Sequence, residues 1–93
     1  MSHVDFADNH IYWDHPWWPE VEPWSPTGWV IRNEAWVNHP MEGLAGLSAT
    51  AILGQPFTVS EFNEVFPNRY AAEGPLLMAA FANHQDWDGV FLF

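Results

Sequence analysis

Prolines and tryptophans are concentrated in one stretch, residues 13–40, and this stretch restricts the fold more than any other feature of the chain. It contains six of the seven tryptophans and five of the eight prolines. Prolines at that density exclude a long helix or an inner strand, because proline lacks a backbone N–H and has a fixed φ angle. The stretch is therefore predicted to be a long loop with a short strand at residues 29–31. Its many tryptophans argue against disorder.

The rest of the chain alternates between strand and helix patterns. Strands are predicted at residues 4–12, 57–61 and 90–93, and helices at 40–52 and 70–84. The last strand is uninterrupted in its apolar residues, which is typical of a strand buried on both faces. The fold class is therefore α/β, with about three parallel strands, two helices and right-handed crossovers. Residues 1–93 are expected to form one small domain.

Local signals set the predicted ends of both helices. Asn38 is expected to cap the first helix, with Pro40 in its first turn. Asn68 is expected to cap the second helix, and Gly74-Pro75 to kink that helix or separate its first turn.

The segment 56–63 carries the first candidate for chemistry. Phe57 and Val59 alternate with polar residues, which is the period of a strand, and the strand then reaches Glu61. In a parallel α/β sheet, acidic residues at the carboxyl ends of strands face the ligand crevice. Glu61 is therefore a candidate catalytic residue, and the alternative is a solvated carboxylate at a strand end.

The charge of the chain limits the classes of molecule that it can bind. Twelve acidic residues stand against two arginines and no lysine, giving a net charge of −10. Nucleic acid requires a basic surface, so this partner is excluded, and an anionic membrane is disfavoured. No apolar run has membrane-spanning length. Neutral ligands such as sugars are compatible with this charge.

Neither a metal nor a cofactor is expected. Cysteine is absent, which excludes thiolate sites and disulfides. His10, Asp14 and His15 are close in sequence, but their spacing matches no regular metal-ligand pattern. The N-terminus lacks the basic and apolar regions of a signal peptide, so the chain is expected to be cytoplasmic or a piece of a longer, secreted protein.

Three segments together resemble the last third of a (β/α)8-barrel retaining glycoside hydrolase of the clan that includes cellulases and β-galactosidases. Residues 8–16, DNHIYWDHP, resemble the sixth barrel strand with its His-x-Tyr pair. Residues 58–63, TVSEFN, resemble the seventh strand, and residues 70–93 resemble the seventh helix and eighth strand. The resemblance covers most of the chain and implies a partial barrel-like unit.

The resemblance also implies roles for individual residues in the cleavage of β-linked glycans. Glu61 corresponds to the catalytic nucleophile, and His10 and Tyr12 correspond to the pair that contacts the sugar. Asn63 and Trp13 are expected to border the site. The implied partner is an oligosaccharide or polysaccharide.

The family's second carboxylate, the acid/base, has no clear counterpart. In the family it belongs to an Asn-Glu pair on the fourth strand, whereas Asn33-Glu34 of this chain lies in the tryptophan-rich loop. Retaining enzymes need both carboxylates. The site is therefore expected to be incomplete in this chain.

A second class of function stays open: a non-catalytic carbohydrate-binding or self-assembling α/β unit. Tryptophan rings pack against the C–H faces of sugars. Trp17 and Trp18, between prolines, are the candidates for such contacts, and the alternative is that they contribute to a small core. Open strand edges also predict a homo-oligomer.

Overall fold

The described residues form a three-stranded parallel sheet with two α-helices. A computed structural model of the chain describes residues 4–93. The strands are β1 (Ala7–Trp13), β2 (Phe57–Glu64) and β3 (Gly89–Leu92), in the spatial order β1-β2-β3. The helices are α1 (Leu44–Ser48) and α2 (Glu73–Gln85), and a single 3-10 turn covers Trp36–Asn38. The predicted α/β class and element order are confirmed.

A β-bulge at Ser60 interrupts the alternation of side chains between the two faces of the central strand, β2. Asn9 of β1 lies opposite Val59, but the next residue, His10, lies opposite Glu61. Ser60 is therefore an extra residue in β2, and the pairing of β2 with β3 is irregular over the same interval. Such a bulge reverses the face to which every later side chain of the strand points.

The sheet has one covered face and one open face. Both helices pack on the covered face, where the buried core contains the following side chains: Trp13, Trp36, Leu44, Leu47, Phe57, Val59, Phe62 and Met78. By strand alternation and burial, the opposite face, called the open face below, carries Asp8, His10, Tyr12, Thr58, Ser60, Glu61, Asn63, Phe91 and Phe93. No helix of residues 4–93 covers the open face.

The third strand differs from its predicted environment. Its apolar sequence predicts burial on both faces, but Phe91 and Leu92 are 58% and 63% exposed. The reason is that Phe91 lies on the open face, which no helix of residues 4–93 covers, and that β3 is an edge strand with β2 as its one neighbour in the described sheet. An apolar sequence is compatible with an interior strand and with an exposed edge strand, so the sequence of β3 alone does not distinguish the two.

Both helices begin later than the sequence predicts. Helix α1 has five residues and begins after Gly43, whose φ is +72°, and Asn38 lies in the 3-10 turn instead of capping it. Helix α2 begins at Glu73, which places Pro75 in its first turn, where proline needs no hydrogen-bonded N–H. No helix within residues 4–93 has the length and hydrophobicity that a bilayer crossing requires.

The long loop after β1 is attached to the core through Asp14. Within it, the predicted strand at 29–31 reduces to one antiparallel bridge between Trp17 and Val30. The buried Asp14 carboxylate accepts hydrogen bonds from the backbone N–H groups of Arg32 and Asn33, both at 2.7 Å, and from Asn68 Nδ2 at 2.9 Å. Three charge-assisted bonds to one carboxylate explain how a loop without regular structure keeps one conformation.

Candidate active site

Glu61 lies on the open face and is held by a tyrosine from the neighbouring strand. Because of the bulge at Ser60, its side chain is directed away from the core. The hydroxyl of Tyr12 donates a hydrogen bond to Glu61 Oε2 at 2.7 Å, and His10 is the cross-strand partner of Glu61. The structure therefore brings together three of the residues that the sequence singled out.

The tyrosine hydroxyl remains a donor over the whole physiological pH range. Desolvation and then the bond to Glu61 raise the pKa of Tyr12 to about 12. A phenol that keeps its proton can only stabilise the carboxylate by donating to it. The pair is therefore suited to fix one oxygen of Glu61 and leave the other available.

Asn63, Phe91 and Phe93 also lie on the open face. The side chain of Asn63 donates from Nδ2 to the carbonyl oxygen of Phe93 at 2.6 Å, which ties β2 to the end of β3. The rings of Tyr12 and Phe93 meet edge to face with centroids 6.2 Å apart. Phe91 and Phe93, which are exposed, and the half-buried Tyr12 thus give the open face an aromatic surface.

Asp8 is the second carboxylate of the open face and holds the bulge in place. Its two oxygens accept hydrogen bonds from the hydroxyls of Thr58 and Ser60. The bond from Thr58, followed by that from Ser60, lowers the pKa of Asp8 below its ordinary value. Asp8 is therefore ionised at neutral pH and fixes the residue immediately before Glu61.

Of the three tryptophans predicted to contact a ligand, Trp13 lies on the covered face, and Trp17 lines a cavity of about 440 Å³ beside β1 together with Trp13 and Tyr12. Trp13 is buried in the core, where it stacks on Trp36 with the ring centroids 5.6 Å apart. It follows Tyr12 directly and so points to the opposite side of the strand. Trp17 and Trp18 belong to the long loop, where Trp18 Nε1 donates to the carbonyl of Ser25.

Glu34 also lies outside the open face. One of its oxygens is 2.8 Å from His39 Nε2, and the His39 ring packs against Trp13 on the covered side. His39 also approaches Glu42 through Nδ1 at 3.1 Å. Glu34 is thus part of a surface group of polar contacts with His39 and Glu42 at the end of the long loop.

Glu64 is the ionisable residue that sequence reasoning missed. It is 4% exposed, and neither carboxylate oxygen has a hydrogen-bond partner among the described residues. Desolvation first, and then the charges of Glu73 and Asp14, raise its pKa to about 7. No sequence signal marks it, because its burial depends on the phase change at Ser60.

The described residues contain no group of three or more His, Cys, Asp or Glu side chains arranged to hold a metal ion. Fold and site together define a parallel α/β sheet with a tyrosine-held carboxylate on its open face. A scan of protein-family models, a search of curated proteins and a search of solved structures found no match to the chain.

Proposed function

We propose that the open face is the nucleophile half of a retaining glycoside hydrolase site, with Glu61 as the nucleophile. The observation that carries the proposal is the 2.7 Å hydrogen bond from Tyr12 to Glu61 on a face that also presents His10. It joins the two segments whose sequences resemble the sixth and seventh strands of the barrel family. A carboxylate oriented by one donor, beside exposed aromatic rings, suits attack on a sugar ring.

The first chemical step assigns one role to each residue. The free oxygen of Glu61 attacks the anomeric carbon and forms a glycosyl ester, while the bond to the aglycone oxygen breaks and its electron pair leaves with that oxygen. Tyr12 holds the other oxygen of Glu61 during the attack. In the proposal His10 hydrogen-bonds a sugar hydroxyl, and Asn63, whose amide already bonds the Phe93 carbonyl and the Glu64 N–H, borders the site. In the second step water adds to the anomeric carbon and the ester bond breaks, which releases the free sugar, the Glu61 carboxylate and a proton to solvent.

The electrostatics of the described carboxylates leave the acid/base role unfilled. A general acid needs a proton at neutral pH and hence a raised pKa. Asp8 has a lowered pKa, and Glu64, whose pKa is raised, lies on the covered face. The first step therefore requires a substrate whose leaving group needs no protonation.

The open face and the two unpaired edges support a barrel-like assembly. In the proposal the sheet is one arc of a (β/α)8 barrel, with the open face turned inward and the helices outward. Further strand–helix units, or a second copy of the chain, would pair with the edges of β1 and β3 and bring the missing acid/base. The substrate class is a β-linked oligosaccharide or polysaccharide.

A covalent trapping experiment tests the nucleophile directly. A 2-deoxy-2-fluoro-β-glycoside with a dinitrophenolate leaving group should add one sugar mass to the intact protein, and peptide mapping should place the sugar on Glu61. The variant Glu61→Gln should not be labelled, and Tyr12→Phe should be labelled more slowly. Glu22→Gln, which changes an exposed loop carboxylate, is the matched control and should be labelled like the wild type. Labelling of the Glu61→Gln variant at wild-type rate would refute the assignment.

The unfilled acid/base role favours one second candidate, a site that binds saccharides without cleaving them. In that case a soluble β-glucan should perturb the Tyr12 and Phe93 signals in NMR spectra, while the fluoroglycoside gives no adduct. Both candidate functions predict that the chain self-associates through the edges of its sheet. Sedimentation equilibrium should give a mass above that of one chain at micromolar concentration, and a monomer would count against it.

A further inference from the structure

A second concave site lies in the long loop, outside the open face. Three tryptophans and a phenylalanine surround a cavity of about 260 Å³, called the aromatic pocket below. Its main lining residues are Trp18, Trp24, Trp29, Phe66, Pro16 and Val65. Pro16 follows β1 and Val65 follows β2, so the pocket lies at the carboxyl end of the sheet.

The rings of this pocket are exposed to an unusual degree. Trp24 is 75% exposed and Phe66 is 87% exposed. Trp24 and Trp18 lie with centroids 5.3 Å apart and planes inclined by 47°. Large apolar side chains grouped at the surface mark binding sites more often than isolated ones do.

The pocket has few groups that could hydrogen-bond a ligand. Ser25 contributes the only polar side chain apart from the indole nitrogens, and its carbonyl already accepts a bond from Trp18 Nε1 at 2.9 Å. A sugar in this position would lose water from its hydroxyls without gaining enough partners. An alkylated ammonium group has no such requirement, since it needs only apolar contact and negative potential.

The charge distribution favours a cation in the pocket. The chain carries −10 and has no lysine. Arg32 is paired with Glu42 and lies over Trp13, and Arg69 lies near the ring of Tyr70, so neither cation lines the pocket.

The nearest charges along the chain are negative. Between Trp18 and Trp24 the loop carries two exposed carboxylates, Glu20 and Glu22. A cation that reaches the pocket therefore meets attractive potential, and the side chain that it must share Trp24 with is His15, whose ring meets that of Trp24 edge to face with centroids 5.6 Å apart.

We propose that the aromatic pocket binds a soluble quaternary ammonium compound of the choline class. The rings supply cation–π contacts to the methylated nitrogen, and the acidic loop supplies long-range attraction. The cavity is smaller than the roughly 300–1,000 Å³ typical of drug-sized ligands, which fits a single head group. This site is independent of the proposed glycosidase chemistry.

The test is an NMR titration of the seven tryptophan indole N–H signals with choline chloride at constant ionic strength. The signals of Trp18, Trp24 and Trp29 should shift with one dissociation constant on the order of 1 mM, because each exposed cation–π contact is weak. The neutral isostere, in which a tert-butyl group replaces trimethylammonium, should bind several-fold more weakly. A methyl β-glucoside should leave these three signals in place.

Three variants locate the site. Trp24→Ala and Phe66→Ala should each weaken choline binding about two- to fivefold, the value of one exposed ring. Trp17→Ala removes a 54% exposed tryptophan outside the pocket and should leave the affinity unchanged. All three side chains are mostly solvent-exposed, so the spectra should keep native dispersion. Equal binding of choline and its isostere, binding of the glucoside at these signals, or no shift at all would overturn the proposal.

Discussion

Replacing the buried Glu64 with glutamine should remove a pH-dependent destabilisation of the fold. The wild-type side chain is 4% exposed, has no described hydrogen-bond partner, and has its pKa raised from 4.5 to about 7. Between these two values the folded protein binds more protons than the unfolded chain. The free energy of unfolding of the wild type should therefore fall as the pH rises from about 4.5 to about 7, and should stay level above pH 7.

The size of the effect follows from the same two values. Each pKa unit corresponds to about 1.4 kcal/mol, so ionisation of Glu64 costs the fold up to about 3 kcal/mol above pH 7. Glutamine has nearly the same shape and stays neutral. The variant should equal the wild type near pH 4.5 and exceed its stability by about 2–3 kcal/mol near pH 8. For a domain of this size that is a large share of the total stability.

Urea denaturation followed by tryptophan fluorescence measures this difference at several pH values between about 5 and 8. Other ionisable groups also contribute to the pH dependence, but their contribution is common to both proteins and cancels in the comparison. Glu64→Met is the second variant, because it also removes the two unpartnered oxygens and avoids an unpaired amide. Glu20→Gln, at an exposed position, is the matched control and should keep the wild-type slope. Parallel stability curves for wild type, Glu64→Gln and Glu64→Met would refute the reasoning.

Three further predictions concern stability, each checked by the same denaturation assay. Gly43→Ala should lower the free energy of unfolding by more than about 1 kcal/mol, because φ is +72° and the new Cβ would lie 2.5 Å from Ile11 Cδ1. Gly46→Ala, which has open space at Cβ, is the matched control and should raise the free energy of unfolding by about 0.5–1 kcal/mol. Met78→Ala should cost about 2–5 kcal/mol, since this side chain is fully buried in the core. Asp14→Ala should leave backbone N–H groups of the long loop unpaired and cost about 3 kcal/mol, with faster proteolysis of residues 16–30; unchanged proteolysis would show that the loop is held by other contacts.

The fold class was predictable because the order of strand-like and helix-like segments can be read locally. The alternation through Phe57 and Val59 identifies β2, and α2 lies within the predicted helical segment, although its apolar residues do not form one buried stripe, since Leu76 is 73% exposed and Met78 is buried. Two crossovers with helical patterns require parallel strands. These signals are local, so the sequence alone contains them.

The placement of individual side chains was less predictable because it depends on tertiary contacts. Trp13 is adjacent to Tyr12 in sequence but belongs to the opposite layer, and the order of the long loop depends on Asp14 reaching Asn68, 54 residues away. The family resemblance assigned Tyr12 and Glu61 to one site, but it did not predict the hydrogen bond between them. No local pattern in either segment requires it.

With the bulge at position 60, strand β2 places Glu61 on the open face and Glu64 on the covered face. Strict alternation from Phe57 would send Glu61 into the apolar layer and turn Glu64 toward solvent. The bulge therefore determines which face of the sheet each acid occupies, and the hydrophobicity of the residues does not. Deleting Ser60 would remove the bulge and still leave Glu61 on the open face and Glu64 on the covered face, so the bulge compensates for the additional residue.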